Sequence, residues 1–290
     1  MQINHDSITE IRALLQSRGI ALKKRFGQNF LVAPEMRARI AQAITAALPS
    51  GTSGEIWEIG PGIGALTDAL IAEGHHTRLR LFEIDRGIIT ILQDRYGSSI
   101  PIEEGDVMNT FPRVVENLKD SGVSVAEGVA VVVGNLPYNS AGAIIPALVE
   151  YPVPVERMVF LLQQEMVDRL AALPGTKQYA AISVLIQSHY NVRPLFSVSP
   201  GCFYPAPQVN STVALFQRRD DAPDGNTTTV LSTLARRAFA QRRKTLRTTL
   251  AGYEDELEQC GITTNLRGEV LSPEDYRRLA ERVMSRSRSS

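Results

Sequence analysis

Apolar residues in the first part of the chain fall into short β-branched or aliphatic runs at 55–59, 79–84, 100–104, 129–133 and 158–162. Segments with a helical period lie between them, at 67–73, 86–96 and 141–150. That alternation predicts βαβ units and therefore a parallel sheet. The run V-A-V-V-V at 129–133 is apolar throughout and stops at Gly134, as a strand covered on both faces must be, so it is placed centrally. The stretches 189–198 and 209–217 also read as strands and flank a proline-rich segment from Pro200 to Pro207. No crossover helix fits between them, so an antiparallel addition to the sheet edge is expected.

At 219–226 the sequence R-D-D-A-P-D-G-N gathers charges and breakers, the mark of a domain boundary. Beyond it the pattern is helical at 228–251, 253–259 and 273–284. Ser272 before Pro273 fits an N-cap followed by proline at the first helical position. The expected organisation is an N-terminal segment 1–33, an α/β domain 34–220 and a helical domain 221–290, without internal repeats.

The 290 residues carry 31 Lys+Arg against 31 Asp+Glu, so the net charge is zero and only local charge patterning bears on partners. With 43% hydrophobic and 21% charged residues, disordered and fibrous classes are excluded. Cys202 and Cys260 can frame no disulfide scaffold and have no metal-type spacing, and no metal site is expected. No apolar run approaches the roughly 18 residues of a membrane span, and the first thirty residues lack a secretory pattern. A cytoplasmic protein without membrane contact is expected.

Candidate chemistry begins at E-I-G-P-G-I-G-A, 58–65, directly after a strand and before a helix. Glycine there permits a tight turn and lets a ligand approach backbone amides. Glu83, 23 residues after Gly60 at the end of the next strand, is placed to accept hydrogen bonds from ribose hydroxyls. Gly60, Gly62 and Ala65 equally satisfy the G-x-G-x-x-G/A dinucleotide fingerprint, so the pattern indicates nucleoside binding and leaves the cofactor open. Asp106, after the third strand, could accept from an adenine amino group or simply shape a strand-to-helix turn. Asp85 could cap the helix beginning near Arg86.

The central strand runs into G-N-L-P-Y-N, 134–139. The exocyclic nitrogen of adenine is a poor nucleophile because its lone pair is delocalised into the ring. Acceptors that grip its two N–H groups localise that density. The side-chain oxygen of Asn135 and the carbonyl of Leu136 suit that task, with Pro137 fixing the backbone and Tyr138 stacking on the base. No strong general base is needed, since the nitrogen becomes acidic only as a methyl group arrives.

Taken in order, F-G-Q-N-F-L at 26–31, the glycine loop, F-E-I-D at 82–85, G-D-V-M-N at 105–109, G-N-L-P-Y-N, F-Y-P-A-P-Q-V-N-S at 203–211 and Q-R-R-K-T-L-R at 241–247 resemble the ribosomal RNA adenine dimethyltransferases. The resemblance covers nearly the whole chain and is strongest to the bacterial small-subunit, kasugamycin-resistance type. It implies a doubly wound Rossmann-like fold and S-adenosyl-L-methionine as methyl donor. It further implies that Gln28, Asn29, Leu31, Gly60, Gly62, Glu83, Asp106 and Asn135 line the cofactor site, with the segment 1–33 closing over it. Tyr138 and Phe203 would sandwich the target base. The implied reaction is dimethylation at N6 of two adjacent adenosines near the 3′ end of small-subunit (16S) rRNA in a pre-ribosomal 30S particle, by a monomer. Gln164 and Ala180 depart from the family's usual Lys and Gly, and the first could weaken an RNA contact.

The stretch 235–250 holds Arg236, Arg237, Arg242, Arg243, Lys244 and Arg247 without an acid, so a basic helix that binds RNA phosphates is expected. Lys23, Lys24 and Arg25 form a second cluster. The histidines are scattered and receive no catalytic role. Three other readings compete: a large-subunit rRNA adenine methyltransferase of the macrolide-resistance type, a non-catalytic RNA-binding assembly factor, and a nicotinamide oxidoreductase. The last leaves N-L-P-Y and the basic run unexplained.

Overall fold

The computed structural model describes residues 3–20, 28–137, 139–151 and 155–289. A first helix, α1 (Ile8–Ser17), precedes the two-residue strand β1 (Phe30–Leu31) and helix α2 (Pro34–Ala47). Strands and helices then alternate through β2 (Glu55–Ile59), α3 (Ala65–Ala72), β3 (Leu79–Glu83), α4 (Arg86–Tyr96), β4 (Ile102–Glu104), α5 (Val107–Asp120), the short α6 (Val125–Gly128), β5 (Val129–Asn135), α7 (Ala141–Glu150) and β6 (Arg157–Gln163). Helices α8 (Gln164–Leu170) and α9 (Ala181–His189) lead into β7 (Tyr190–Val198), β8 (Phe203–Tyr204) and β9 (Ser211–Arg218). The remainder is α10 (Gly225–Ala240), α11 (Leu246–Thr249), α12 (Glu254–Gln259) and α13 (Pro273–Ser289). Among the described residues no helix is long and apolar enough to cross a membrane.

Seven strands form one sheet in the order β4-β3-β2-β5-β6-β9-β7. The pairs from β4 to β6 are all parallel, because each strand returns through a covering helix. β5 lies between β2 and β6, and its residues Val129 to Val133 are at most 1% exposed, which accounts for their unbroken apolar character. The late strands take the expected edge, with β9 between β6 and β7. The strand order reverses between β2 and β5, and it is outside the carboxyl ends of such a pair that α/β sheets bind ligands.

The core on one side of the sheet is aromatic. Trp57 of β2 lies 5.2 Å from both Phe82 of β3 and Phe111 of α5, ring centre to ring centre, and its indole N–H donates to Glu55 at 2.7 Å. Helix α5 is absent from the sequence expectation because its first turns are rich in β-branched residues and contain Pro112. Its start is fixed by Asp106, whose carboxylate accepts from the Met108 N–H at 3.0 Å. Helices α1, α2 and α9 were likewise not expected.

The chain divides into two compact units, one of Met1–Ile144, Pro154–Gln164 and Pro194–Phe216, the other of Ile145–Val153, Glu165–Arg193 and Gln217–Ser290. The helices α8 and α9 thus join the C-terminal helices, so a single boundary near 220 does not describe the molecule. Polar links explain the grouping. His189 of α9 bonds the Thr228 hydroxyl of α10 at 2.7 Å, and the Tyr179 hydroxyl donates to the Leu271 carbonyl at 3.0 Å. Tyr179, Phe239 and Tyr276 pack ring to ring within this unit.

Outside the large sheet, β1 and β8 form an antiparallel ribbon with Phe30 opposite Tyr204 and Leu31 opposite Phe203. Phe203 is only 3% exposed and belongs to the hydrophobic core of the first unit. Phe203→Ala is therefore expected to destabilise the fold by about 3–5 kcal/mol, read as a lowered urea midpoint. An unchanged midpoint would mean that the ring is not a core element.

Candidate active site

Beyond β2 the backbone must reverse sharply to enter α3. Gly60 and Gly62 take φ of 66° and 55°, a region that costs an ordinary L-residue energy. A Cβ at Gly60 would project into open space, whereas one at Gly62 would press on the Phe30 ring at 3.2 Å. The loop is pinned from behind by α4: Arg95 donates to the Ile63 carbonyl and pairs with Asp68, and the Tyr96 hydroxyl donates to Asp68 at 2.7 Å.

Glu83 closes the other side of the loop. Its carboxylate is nearly buried and accepts from the backbone N–H groups of Ile84 and Asp85, both at 2.9 Å, and of Gly62 at 3.3 Å. Burial raises its pKa above the ordinary value, and those three donors oppose the rise. Asp85 caps α4 through the Gly87 N–H at 2.9 Å, as its position before Arg86 suggested. One oxygen of Asp106 is used in capping α5, while the residue itself still lines the cavity.

Across the sheet's reversal point stands Asn135, the last residue of β5. Its side-chain N–H donates to the Asn29 carbonyl at 2.8 Å, which turns the amide oxygen away from β1, where it has no donor among the described residues. No described residue donates to the Leu136 carbonyl, while the Pro137 carbonyl accepts from Ser140 and Ala141 at 3.0 Å to start the turn into α7. One cavity of about 280 Å³ unites these parts, with Gln28, Asn29, Leu31, Gly60, Gly62, Glu83, Asp106, Asn135 and Pro137 on its wall. The Leu136 side chain is buried and Phe203 does not line the cavity. Phe203 packs into the hydrophobic core behind β1, so any stacking on a base would be by a ring whose other side is core. Tyr138, Phe26 and the cluster Lys23, Lys24 and Arg25 lie outside the described residues.

Sequence reasoning passed over Glu58, which also lines the cavity. Its carboxylate is fully buried and accepts from the Thr67 hydroxyl at 2.7 Å. Burial, with added repulsion from Asp68 and Glu83, pushes its pKa up to about 8. The signal was its position as the first residue of the glycine motif, inside a strand whose other side chains are almost all apolar.

The basic run in the second unit is not one helix. At Gln241 the backbone leaves helical geometry and α11 starts only at Leu246. Arg242 is consumed there: its guanidinium pairs with Glu269 and donates to the carbonyls of Lys177 and Thr176, both at 2.8 Å. Arg236 pairs with Glu150 at 2.7 Å, and Arg237 lies over the Tyr253 ring. Acids distant in sequence thus compensate a run that contains none. Arg243, Lys244 and Arg247 are exposed and have no side-chain partner among the described residues. Gln164 is occupied as well, its side-chain oxygen accepting from the Thr212 hydroxyl.

Glu58 provides a test of the buried charge pattern. Its folded pKa near 8 exceeds the unfolded value of 4.5, so the folded state holds a proton that the unfolded state has lost between those limits. Stability from this group is full below about pH 4.5 and declines as pH rises towards 8, by at most about 1.4 kcal/mol per pH unit. Glu58→Gln removes this contribution, so the stability of wild type relative to the variant should fall between pH 5.5 and 8 in urea titrations. Parallel pH profiles would contradict the assignment.

A family model described as ribosomal RNA adenine dimethylase matches residues 19–284. Ribosomal RNA small subunit methyltransferase A of Treponema denticola is 34% identical over 293 residues, covering 96% of this chain and 95% of its own. The protein of the same name from Aromatoleum aromaticum is 37% identical over 270 residues, covering 91% and 95%. Among solved structures, the 23S rRNA methyltransferase ErmE superposes with a TM-score of 0.61 at 22% identity, covering 88% of this chain and all of its own. That likeness shows a shared methyltransferase fold. With the family model spanning almost the whole chain and the whole-length relatives agreeing with it, this protein belongs to the ribosomal RNA adenine dimethylase family.

Proposed function

We propose that this protein transfers methyl groups from S-adenosyl-L-methionine to N6 of two adjacent adenosines near the 3′ end of small-subunit rRNA, acting as a cytoplasmic monomer on a pre-ribosomal 30S particle. The observation that carries the reading is the single cavity in which a glycine loop with a buried ribose-type acceptor faces an asparagine oxygen at the end of the central strand. The wall fits the methyl donor. Glu83 would accept from the ribose hydroxyls, the open face of Gly60 admits a ligand to the backbone, and Asp106 has a carboxylate oxygen left over for an adenine amino group. When bound, the donor supplies an electrophilic methyl group on a sulfonium.

The protein's part is to bring in the nucleophile and hold it in line. Asn135 accepts one N–H of the target amine through its amide oxygen, and the Leu136 carbonyl accepts the other. Both acceptors draw the lone pair out of the ring and towards the methyl group. The proton released as the new bond forms leaves to solvent. Stacking is assigned to Tyr138, the neighbour of Pro137 in sequence, and is worth about 1–3 kcal/mol for a flipped base. That offsets much of the few kcal/mol needed to unstack it. Arg243, Lys244 and Arg247 would meet RNA phosphates.

Incubation with labelled donor and undermethylated small subunits, followed by mass spectrometry of the nucleosides, tests the reading. Dimethyladenosine at two adjacent sites is expected. Label only in large-subunit rRNA would favour the macrolide-resistance type of enzyme, and tight RNA binding without label would favour an assembly factor.

The basic residues now separate into two kinds. Replacing Arg243, Lys244 and Arg247 by Gln should flatten the salt dependence of subunit binding by about 0.7–0.9 log units per lost phosphate contact, with the melting temperature unchanged. Arg242→Gln should instead lower the melting temperature, because Glu269 and two carbonyls lose their donor. Equal salt slopes in wild type and the triple variant would remove these residues from the interface.

A further inference from the structure

Residues 3–20, which include α1, do not line the cavity, yet several of their polar side chains are committed to the elements that build its wall. Arg12 of α1 donates to the Tyr204 hydroxyl at 2.7 Å and lies 4.9 Å above the Tyr204 ring. Tyr204 is in β8, opposite Phe30 of β1. Asp6, just before α1, pairs with Arg37 of α2, and Arg37 donates to the Leu31 carbonyl of β1 at 3.1 Å. Both strands of the ribbon are thus clamped from one short segment. The carbonyl of Asn29, immediately before this ribbon, is the group that orients Asn135.

We propose that Asp6 and Arg12 are positioning residues for methyl transfer. By fixing the β1–β8 ribbon they hold the Asn29 carbonyl where it turns the Asn135 oxygen towards the target amine. The chemical argument is geometric. A two-residue ribbon has too few ladder hydrogen bonds to hold itself in place, and a misplacement of about 1 Å in an attack geometry is enough to cost up to a hundredfold in rate. A cation resting on an aromatic face while bonding its hydroxyl restrains both the direction and the depth of Tyr204. The paired Asp6 and Arg37 restrain the partner strand from the opposite end. The same segment reaches the donor side through His5, which is buried and bonds Asp68 at 2.9 Å beneath the glycine loop. That contact concerns the loop and not the amine, so the two can be separated.

This inference rests on the proposed adenine methylation, and its test separates the two. Single-turnover methyl transfer to undermethylated small subunits is compared in wild type, Asp6→Ala, Arg12→Leu and Arg12→Lys, at saturating donor. The donor dissociation constant is measured in parallel by calorimetry. Arg12→Leu and Asp6→Ala should slow transfer by about tenfold while leaving the donor constant within about twofold, and Arg12→Lys, which keeps a cation over the ring, should recover part of the rate. His5→Leu should weaken donor binding instead. Wild-type rates in both Arg12→Leu and Asp6→Ala would overturn the inference. So would a rate loss matched by an equal loss of donor affinity, because the effect would then lie in donor binding and not in the alignment of the amine. If wild type itself transfers no methyl group, the functional reading fails and the inference falls with it.

Discussion

The hydrogen bond from the Asn135 side chain to the Asn29 carbonyl joins parts of the chain 106 residues apart. It sets two things at once. It fixes which end of the Asn135 amide faces the cavity, and it ties the β1–β8 ribbon to the end of the central strand. Everything else at the site can be ordered by its relation to that bond. β5 places Asn135 because its five valine and alanine residues are locked between β2 and β6. The ribbon places Asn29 because α1 and α2 restrain both of its strands. The glycine loop and Glu83 then form the opposite wall.

The electrostatics of that wall follow from burial. Two carboxylates, Glu58 and Glu83, line the cavity while being almost fully buried themselves, and burial pushes both towards their protonated forms. Their surroundings differ. Glu83 receives three backbone N–H donors, which favour its charge, whereas Glu58 receives one hydroxyl and stays protonated at neutral pH. The wall therefore presents, beside the glycine loop, a carboxylate whose charge is favoured by three backbone donors against the cost of burial, with a neutral acid behind it.

Much of this was readable in the sequence, where one physical signal dominated locally. The unbroken V-A-V-V-V run marked β5, and the spacing of glycines between a strand and a helix marked the loop with Glu83 beyond it. Elements held by long-range contacts were not readable. Helix α5 contains Pro112 and several β-branched residues and is sustained by burying Phe111 against Trp57 and Phe82. The basic run looked like one uncompensated helix because its acids, Glu150 and Glu269, are far away in sequence. Phe203 is a stacking residue only by resemblance, and it takes the antiparallel pairing of β8 with β1 to show that its ring also belongs to the core. His5, Asp6 and Arg12, in and just before α1, carry no motif at all, since their meaning lies in Asp68, Arg37 and Tyr204.

The central claim is that Asn135 works as an oriented acceptor, with its N–H group held by Asn29. Asn135→Asp keeps an acceptor oxygen in place and removes the N–H, so it separates orientation from acceptance. Single-turnover N6 methylation by this variant, with donor affinity measured alongside, is the most direct test. The account predicts transfer slowed by at least about tenfold, since the carboxylate is repelled by the Asn29 carbonyl and loses its alignment, with donor binding little changed. A wild-type rate in Asn135→Asp would contradict it.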